Sequence, residues 1–393
     1  MLNLIDRRSG ESEKNMAIAK FSHVKVAGIK TVVPERFIEI DDELEFFNND
    51  PKRLEREKKQ LGYGRRYLAE TETTVCDMAC DAAERLIKEM AVNKDEIDLL
   101  VFVNQAPEFP APCDACLAHG RLGLSKNCAA LDINLGCSGW PYALMSAHSM
   151  MSSGGFRKGL VLAGDLPSRK ADVNNRKKVQ LFGDAASATL LEYDPADDVS
   201  ATFVCGTDGV GWENLVCPFG GMRHPITHEV LDYSAKDETG SVWRATHSVM
   251  KGEDVFAFTL DVAPRLIQET LAAAGWRAED VGLFAIHQAN KMIVKAISKK
   301  AKIPQEAAPF ETFTRYANNS TNSVATVICD QLPGRDTGKV IVCAFGVGLS
   351  WGAAALDLSK MFNGGISLYK ELKRPTTVSD TLEHYRKIFC GEI

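Results

Sequence analysis

Apolar strands and amphipathic helices alternate along this sequence, and the alternation starts again near its middle. Val24 to Val33 predicts a strand, Thr74 to Met90 carries a helical stripe of apolar residues, and Leu99 to Val103 predicts the next strand. After Asp194-Pro195, a strand, a long helix and another strand follow in a similar order. Because such alternation favours sheets with helices packed on their faces, we predict an α/β protein whose architecture occurs twice.

The size and charge of the chain exclude several classes of protein. Its 393 residues, 45% of them hydrophobic and 25% charged, suffice for the large core of an ordinary globular protein. The net charge of -6 argues against a nucleic-acid-binding protein. Because the N-terminus lacks a signal-peptide region and no segment has the apolar length that crosses a bilayer, we expect a cytoplasmic protein without a membrane span.

The 11 cysteines are scattered and lack the spacing of a zinc site. Two close pairs, Cys76 with Cys80 and Cys113 with Cys116, have no second pair or histidine cluster that would complete four ligands. We therefore expect reduced thiols and no bound metal.

One cysteine, Cys137, lies at the break between a predicted strand and a predicted helix. Ala129 to Leu135 indicates a buried strand, and the helix begins near Pro141. A sulfur at such a turn faces unpaired backbone N–H groups and the positive end of the helix dipole, which favour the nucleophilic thiolate. Gly136 and Gly139 allow the backbone to bend sharply. An ordinary buried thiol is the alternative.

A histidine lies at a strand-to-helix break in the second half. Val281 to Ile286 predicts a strand, and His287-Gln-Ala-Asn290 follows it directly, before a lysine-rich helix. A single histidine is more often a core or surface residue than a catalyst. Its position is nevertheless of the same kind as that of Cys137, so we take His287 as a candidate site residue.

Three further stretches combine glycine or small polar residues with strand or helix ends. Phe182-Gly-Asp184 predicts a tight turn, either plain or beside a site. Arg315 to Ser323 precedes an apolar helix, so it is either a helix cap or a set of amides that face a site. Lys339 to Gly352 predicts two strands joined by a glycine turn that could present N–H groups to an oxyanion, although Gly-x-Gly alone is weak evidence.

Together these motifs resemble the β-ketoacyl-[acyl-carrier-protein] synthase III family of the thiolase fold. The matching stretches are Asn-Leu-Gly-Cys137-Ser-Gly, Phe-Gly-Asp184, His287-Gln-Ala-Asn290, Tyr-Ala-Asn318-Asn-Ser and Ala-Phe-Gly-Val-Gly-Leu-Ser-Trp-Gly352, in the family's order and spacing over about residues 21–359. Each motif is modest alone, but the ordered set is highly specific. The resemblance implies a thiolase-like αβαβα sandwich of two duplicated halves, each with a mixed five-stranded sheet, and a homodimer.

The resemblance also divides the chain into segments. It implies a flexible N-terminal arm over 1–20, a thiolase-like half with the nucleophilic cysteine over 21–195, a second half with the histidine and asparagine over 196–359, and a C-terminal extension over 360–393. In the extension, Thr377-x-x-Asp380 predicts a capping box at the start of a helix. One face of that helix would carry Leu382, Tyr385, Ile388 and Phe389.

The resemblance assigns catalytic roles to matched positions. Cys137 would accept the acyl group, and His287 with Asn318 would bind the thioester carbonyl of a malonyl donor. The backbone N–H of Cys137 and one from Val347 or Gly348 would hold the oxyanion.

Three other positions are implied to contact substrate. Arg176 matches an arginine that binds a CoA phosphate, and Asn290 belongs to the histidine motif. Ala111 falls where the family often has an aromatic residue with which the dimer partner caps the acyl pocket, so a roomier pocket is implied.

The implied activity is that of a condensing enzyme. An acyl group from a CoA or carrier-protein thioester would pass to Cys137, and malonyl-acyl-carrier protein would extend it by decarboxylative Claisen condensation to a 3-oxoacyl product. No cofactor is implied. The alternatives are acyl transfer to an oxygen or nitrogen nucleophile and a non-catalytic subunit that pairs with an active homologue. The complete Cys/His/Asn set argues against the first and the retained thiol against the second.

The expected protein partner is an acyl carrier protein, which is usually acidic. The helix after His287 has lysines at helical spacing, which would place a positive face beside the site. They are Lys291, Lys295, Lys299 and Lys300. The alternatives are the basic segment from Lys52 to Arg66 and a plain solvated helix.

Overall fold

The structure is a computed structural model that describes residues 16–176, 178–371 and 378–392. Its strands and helices follow the predicted alternation. In the first half the strands are β1 (Ala17–Ser22), β2 (Val24–Pro34), β3 (Phe37–Glu39), β4 (Arg65–Tyr67), β5 (Leu99–Asn104), β6 (Ala129–Asn134), β7 (Lys158–Asp165) and β8 (Ala185–Tyr193). The helices are α1 (Pro51–Leu61), α2 (Val75–Glu89), α3 (Asp114–Leu122) and α4 (Gly139–Met151).

The second half repeats the alternation with a longer irregular segment after its first strand. Its strands are β9 (Ser200–Thr207), β10 (Leu215–Val216), β11 (Ser234–Lys236), β12 (Val242–Arg244), β13 (Val249–Met250), β14 (Leu283–Ile286), β15 (Lys339–Gly346), β16 (Ser350–Asp357) and β17 (Phe362–Tyr369). Its helices are α5 (His228–Asp232), α6 (Gly252–Ala274), α7 (Lys291–Lys300), α8 (Glu311–Tyr316), α9 (Ser323–Gln331) and α10 (Val378–Phe389).

Two mixed sheets form the body of the protein. The first sheet has the strand order β17-β2-β8-β7-β5-β6, and the second has the order β1-β9-β16-β15-β14. In the first, β5 is parallel to β7, β7 antiparallel to β8, and β8 antiparallel to β2. In the second, β14, β15, β16 and β9 pair in the same order and the same directions. This repeated four-strand unit is the structural duplication that the sequence predicted.

The helices form three layers around the two sheets. Helices α4 and α9 lie between the sheets, where residues such as Trp140 and Val324 are fully buried against strands of both halves. Helices α2 and α3 cover the outer face of the first sheet, and α6 and α7 cover that of the second. The predicted αβαβα sandwich is thereby confirmed, and its central layer is buried on both sides.

The two ends of the chain correct the predicted segment boundaries. Residues 17–20 are not a flexible arm, because β1 pairs along its whole length with β9. The strand β17 is not an extension beyond the core, because it lies parallel to β2 and adds a sixth strand to a sheet expected to have five. Each end therefore joins the sheet of the opposite half, and this pairing between distant segments leaves no local signal in the sequence. Residues 1–15 lie outside the described residues.

Two smaller expectations are also corrected or limited. The strand β6 was predicted to be buried, but it is the edge strand of the first sheet and its residues are partly exposed. The capping residue Thr377 lies outside the described ranges, so the predicted capping box has no described structure. The helix α10 is present, and the apolar face formed by Leu382, Tyr385, Ile388 and Phe389 is exposed.

Within the described residues, no helix has the length and hydropathy that crossing a membrane requires. Nor do those residues include a group of three or more His, Cys, Asp or Glu side chains that could hold a metal ion.

An ion pair between the buried Lys30 and the partly exposed Glu89 helps to fix the added strand β17 to the first sheet. The side chain of Lys30 is buried, and its Nζ lies 2.9 and 3.2 Å from the two carboxylate oxygens of Glu89 on α2. The same Nζ donates to the carbonyl oxygen of Gly364 in β17 at 2.6 Å. One cation therefore joins β2, α2 and β17.

We expect Glu89→Ala to lower the free energy of unfolding by about 2–4 kcal/mol, because it leaves a buried ammonium without its counter-charge. Urea unfolding followed by circular dichroism measures the change. The control is Glu84→Ala on the same helix, which removes an exposed ion pair with Lys94 and should cost less than about 1 kcal/mol. Equal losses in the two variants would contradict this account of β17.

Candidate active site

Cys137 lies on a tight turn that the second half of the protein encloses. It follows β6 and precedes α4 by two residues, and the turn is closed by a 2.6 Å hydrogen bond from Gly139 N–H to the carbonyl of Gly136. A Cβ on Gly346, at the end of β15, would lie 2.7 Å from Cβ and 2.8 Å from Sγ of Cys137. Gly346 is therefore a glycine because the nucleophile packs directly against its backbone.

A hydroxyl pair holds the glycine turn after β15 next to Cys137. The Oγ atoms of Ser138 and Ser350 are 2.6 Å apart, and Ser350 Oγ donates to the carbonyl of Val347 at 2.9 Å. The backbone N–H groups of Val347 and Cys137 face the sulfur. Of the two alternatives for the second oxyanion donor, Val347 lines the cavity described below and Gly348 does not.

Asn318 is placed by a loop that packs on the Phe-Gly-Asp turn. Its N–H donates to the carbonyl of Leu181 at 2.9 Å, and its carbonyl accepts from Gly183 N–H at 3.2 Å. A Cβ on Gly183 would lie 2.5 Å from the carbonyl oxygen of Tyr316, so this turn also requires glycine. The Phe-Gly-Asp motif thus positions the loop that carries the candidate asparagine.

The side chain of Asn318 has a defined orientation. Its Oδ1 accepts from the backbone N–H of Ser320 at 2.8 Å, and the side chain is only 8% exposed. Among the described residues, none accepts a hydrogen bond from Nδ2. The amide is therefore oriented with its N–H donors available to a ligand.

Asp184 supports the same region as a structural residue. Its carboxylate accepts from the N–H of Ala69 at 2.9 Å and from Ser168 Oγ at 2.6 Å. Burial raises the pKa of this carboxyl to about 6. Asp184 does not line the cavity. Its contacts hold the chain after β4 to the chain after β7.

His287 follows β14 and is 3% exposed. Its N–H donates to the carbonyl of Cys343 at 2.8 Å, and its ring meets the ring of Phe345 edge-on with centroids 5.5 Å apart. The backbone N–H of the next residue, Gln288, donates to Ser323 Oγ on α9 at 2.8 Å. The Nδ1 atom of His287 is buried and finds no hydrogen-bond partner in the described part of the chain.

One cavity of about 610 Å³ joins these groups. Cys137, His287 and Asn318 all line it, although they come from three loops that are distant in the sequence. Val347 and Ser320 complete the wall around the thiol, and Ser320 Oγ lies 3.7 Å from the sulfur. The structure thus brings together the three residues that the sequence motifs predicted.

The sequence predicted that His287 and Cys137 occupy equivalent positions in the two halves, but the structure places them at different positions of the repeat. In the repeated strand order, β14 corresponds to β5, so His287 corresponds to the residues just after Asn104. The element equivalent to α4 is α9, and the segment before α9 contains Asn318 and Ser320. The nucleophile and the asparagine are therefore the related pair, and each precedes a central helix.

The electrostatic state of Cys137 also differs from the expectation. Burial raises the pKa of its thiol, and the negative charge of Asp165 adds to the shift. The contact with Ser320 and the two backbone N–H groups oppose this shift but do not overcome it. Desolvation of a thiolate outweighs the helix terminus here, so the resting thiol is protonated at neutral pH.

The imidazole of His287 is also uncharged, because it is buried. Burial alone lowers the pKa of its imidazole to about 4. At neutral pH the ring carries one proton, and it can donate or accept one hydrogen bond at each nitrogen according to its tautomer. The cavity therefore presents uncharged donors from His287 and Asn318.

The three predicted substrate contacts are dispersed. Asn290 lines the cavity, and its Oδ1 caps α7 by accepting from Ile293 N–H at 2.9 Å. Arg176 is exposed outside the cavity and donates to Asn48 Oδ1 at 3.0 Å. Ala111 is exposed and does not line the cavity.

The lysines of α7 are largely exposed, and two of them stack on one ring. The Nζ atoms of Lys291 and Lys295 lie 4.7 and 4.9 Å from the ring centre of Phe310. Lys299 is exposed, and Lys300 donates to the carbonyl of Leu260 at 2.8 Å. The first residues of α7 line the cavity, so the lysine face adjoins it.

The sequence interpretation missed several polar residues of the cavity. Gln105 follows β5 and donates to Asp165 Oδ2 at 2.9 Å and to Ser320 Oγ at 3.2 Å. Lys170 and Lys178 also line the cavity. The sheet-edge rule could have found Gln105 and Asp165, because both lie at the carboxyl ends of neighbouring parallel strands.

Comparison with known proteins identifies the class. Residues 131–209 match the family model for 3-oxoacyl-[acyl-carrier-protein (ACP)] synthase III, and residues 271–358 match the model for its C-terminal part. A Campylobacter jejuni protein with the provisional name 3-oxoacyl-[acyl-carrier-protein] synthase 3 is 34% identical over 90% of this chain and 99% of its own length. The β-ketoacyl-[acyl-carrier-protein] synthase III of Rhodopirellula baltica is 30% identical over 84% of this chain and 97% of its own.

A solved structure agrees with this result. The crystal structure of a 3-oxoacyl-(acyl-carrier-protein) synthase from Burkholderia xenovorans LB400 superposes with a TM-score of 0.82 at 32% identity, covering 90% of this chain and 99% of the other. The fold and these relatives place the protein among the condensing enzymes of the thiolase fold. The chain belongs to the 3-oxoacyl-[acyl-carrier-protein] synthase III family.

The protonated state of Cys137 leads to a pH-dependent test. We expect the rate of alkylation of Cys137 by iodoacetamide to keep rising with pH above the ordinary thiol value of about 8.5, because only the thiolate reacts. Mass spectrometry of the Cys137 peptide measures the rate, with the exposed thiol of Cys390 as an internal reference. A plateau for Cys137 near neutral pH would show a resting thiolate instead.

Proposed function

We propose that this protein loads an acyl group from a thioester onto Cys137 and extends it with malonyl-acyl-carrier protein to a 3-oxoacyl product. Such a reaction would begin a fatty acid or a related secondary metabolite. The observation that supports this proposal is the convergence of Cys137, His287 and Asn318 on one cavity. Membership of the synthase III family supports the same reaction.

The first half-reaction is acyl transfer to sulfur. The thiol of Cys137 loses its proton, its sulfur adds to the thioester carbonyl, the bond to the donor sulfur breaks, and one proton ends on the leaving sulfur. The N–H groups of Cys137 and Val347 face this point and can bind the oxygen of the tetrahedral intermediate.

The second half-reaction forms the carbon–carbon bond. The C–CO₂ bond of the malonyl group breaks, carbon dioxide leaves, and the electron pair forms an enolate whose carbon attacks the acyl group on Cys137. The uncharged N–H donors of His287 and Asn318 bind the enolate oxygen. Cys137 then leaves as a thiolate and regains a proton. The steps balance with the two thioesters and one proton from water, so the proposed reaction requires no cofactor.

The cavity disfavours the alternative functions. Simple acyl transfer to an oxygen or nitrogen nucleophile does not require the oriented Nδ2 donor of Asn318. A non-catalytic subunit has no need for a cysteine held between Gly346 and Ser320 in a cavity. We therefore retain condensation as the proposed reaction.

A homodimer is part of the proposal. The strand β6 forms an edge of the first sheet, and its residues, including Leu131 and Ile133, are partly exposed. A second copy could pair with this edge and bury those side chains. Ala111 on the exposed surface could then reach the partner's acyl pocket.

The two half-reactions give separate tests. We expect Cys137→Ala to abolish acyl-enzyme formation, measured by intact-protein mass spectrometry with a panel of acyl-CoA and acyl-carrier thioesters. His287→Ala and Asn318→Ala should still load Cys137 but release carbon dioxide from the malonyl donor about a hundred-fold more slowly, because each removes one enolate donor. A loaded Cys137→Ala variant or normal carbon dioxide release by both other variants would overturn the assignment.

The carrier protein is proposed to dock on a basic cleft between α1 and α7. Arg56 and Lys59 of α1 and Lys291 of α7 line this cleft together with Phe310. The two basic segments that the sequence offered as alternatives therefore form one surface. Two cations of α1 are already paired, Lys58 with Asp41 at 2.8 Å and Arg53 with Glu57 at 2.9 Å. The exposed lysines of α7 are thus the better candidates for an acidic partner.

We expect the double variant Lys295→Glu/Lys299→Glu to raise the KM for malonyl-acyl-carrier protein by roughly tenfold at low salt, because it reverses the charge that attracts the partner. Added salt should weaken the wild type similarly. Lys126→Glu/Lys360→Glu, two exposed lysines outside the cleft, is the control. An unchanged KM for the carrier substrate, or an equal loss with a small malonyl thioester, would exclude this face of α7.

A further inference from the structure

The catalytic cavity contains a buried lysine that the proposed reaction does not use. Lys178 is 8% exposed and lines the cavity. Its Nζ donates to the carbonyl oxygen of Ser248 at 2.7 Å and to Ser248 Oγ at 3.2 Å. An ammonium group has three donors, and in the described part of the chain the third has no acceptor. No carboxylate of a described residue lies within 4 Å of this amino group.

The other charges of the cavity do not neutralise Lys178. Asp165 is fully buried and pairs with Lys170, whose Nζ lies 3.2 Å from Oδ1. Glu253 also lines the cavity but is exposed to solvent. Among the described residues, the interior wall therefore carries the two cations of Lys170 and Lys178 but only the one carboxylate of Asp165. Burial lowers the pKa of Lys178 to about 8, because an ammonium group is costly to desolvate, and the nearby thiol of Cys217 opposes this shift only in part.

A continuous line of contacts connects this lysine with the nucleophile. Cys137 Sγ contacts Ser320 Oγ, and Gln105 bridges Ser320 to Asp165. Asp165 pairs with Lys170.

The backbone then completes the connection. The carbonyl of Lys170 accepts from the N–H of Ser248 at 3.2 Å, and Ser248 in turn accepts from Lys178. The thiol and the ammonium group therefore belong to one polar wall of the cavity, whose remaining lining includes Leu215, Val216, Met250, Val255 and Phe256.

We propose that Lys178 binds a carboxylate at the far end of the acyl group that Cys137 accepts, so that the enzyme selects the monothioester of a dicarboxylic acid. This inference rests on the proposed function, because it assigns the substrate class of the same site. A carboxylate would supply the missing acceptor and the missing negative charge to a buried cation, and a buried charge-assisted pair of this kind discriminates strongly against a neutral chain.

Two other anionic groups of the substrates fit Lys178 less well. The malonyl carboxylate must leave as neutral carbon dioxide, and a fixed cation beside it would stabilise the reactant and oppose its loss. The phosphate groups of CoA or of a carrier arm are strongly hydrated anions that suit the exposed Arg176 outside the cavity. A carboxylate on the acyl chain is the anion that enters the cavity and remains there.

The test compares thioesters matched in length, with succinyl-CoA against butyryl-CoA and glutaryl-CoA against valeryl-CoA. The second-order rate of acylation of Cys137 is measured by intact-protein mass spectrometry without a malonyl donor. CoA is common to each pair, so its phosphates do not affect the ratio of rates. We expect the wild type to prefer at least one carboxylated member by tenfold or more.

Lys178→Met should reduce that preference by about thirty-fold, the typical effect of removing one partner of a buried charged pair. Lys178→Arg, which keeps the charge, should retain part of it, and Lys360→Met, at an exposed position, is the control. A purely structural role for Lys178 predicts that Lys178→Met lowers the acylation rate equally for both thioesters of each pair, and that result would overturn the inference.

The remaining outcomes are also decisive. A wild-type preference for every neutral member would overturn the inference while the proposed function stands, because Cys137 is still acylated. Unchanged acylation ratios in Lys178→Met combined with slower release of carbon dioxide would place Lys178 on the malonyl carboxylate and overturn the inference as well. Failure of all thioesters to acylate Cys137 would overturn the proposed function together with it.

Discussion

The contact between Cys137 and the backbone of Gly346 is the constraint on which the site depends. The nucleophile belongs to the first half and the glycine to the second, so the two halves must meet with no side chain between them. Gly136 likewise leaves no room for a side chain, because a Cβ on it would lie 2.3 Å from Gln105 Nε2 and 2.4 Å from Val347 Cγ1. The glycines of both motifs therefore serve the approach of two backbones, and the cavity exists because that approach is so close.

The duplicated architecture explains why the reactive groups converge. The central helices α4 and α9 occupy equivalent positions in the two halves, and the residues just before each of them form the site. Ser320, immediately before α9, contacts the sulfur of Cys137, and Thr321 Oγ1 donates to the carbonyl of Leu135 at 3.3 Å. Two helix N-termini thus face one cavity. Their combined field favours negative charge in a transition state even though burial keeps the resting thiol and imidazole neutral.

The cavity separates uncharged catalytic groups from charged recognition groups. In the proposed reaction, His287 and Asn318 offer neutral donors to an enolate that forms only during the reaction. Lys178 carries its charge before the reaction begins, and in the proposed substrate selection it pairs with a carboxylate that stays charged throughout. Hydrogen bonds through Gln105 and Asp165 join these two parts into one wall, so substrate selection and catalysis share a single scaffold.

Local sequence determined the alternation of strands and helices and the duplication, because periodicity is encoded within a few neighbouring residues. The ordered motifs around Cys137, His287 and Asn318 predicted the candidate site through their resemblance to a family, and the structure brings these three residues to one cavity. Only the tertiary structure decided which ends pair with which sheet, since β1 with β9 and β17 with β2 are contacts between distant segments. It also decided protonation, because the pKa of a thiol depends on the water that all surrounding segments exclude. The sequence did not single out Lys178 for the same reason. Its proposed role depends on Ser248, Asp165 and the cavity, which only folding brings close to it.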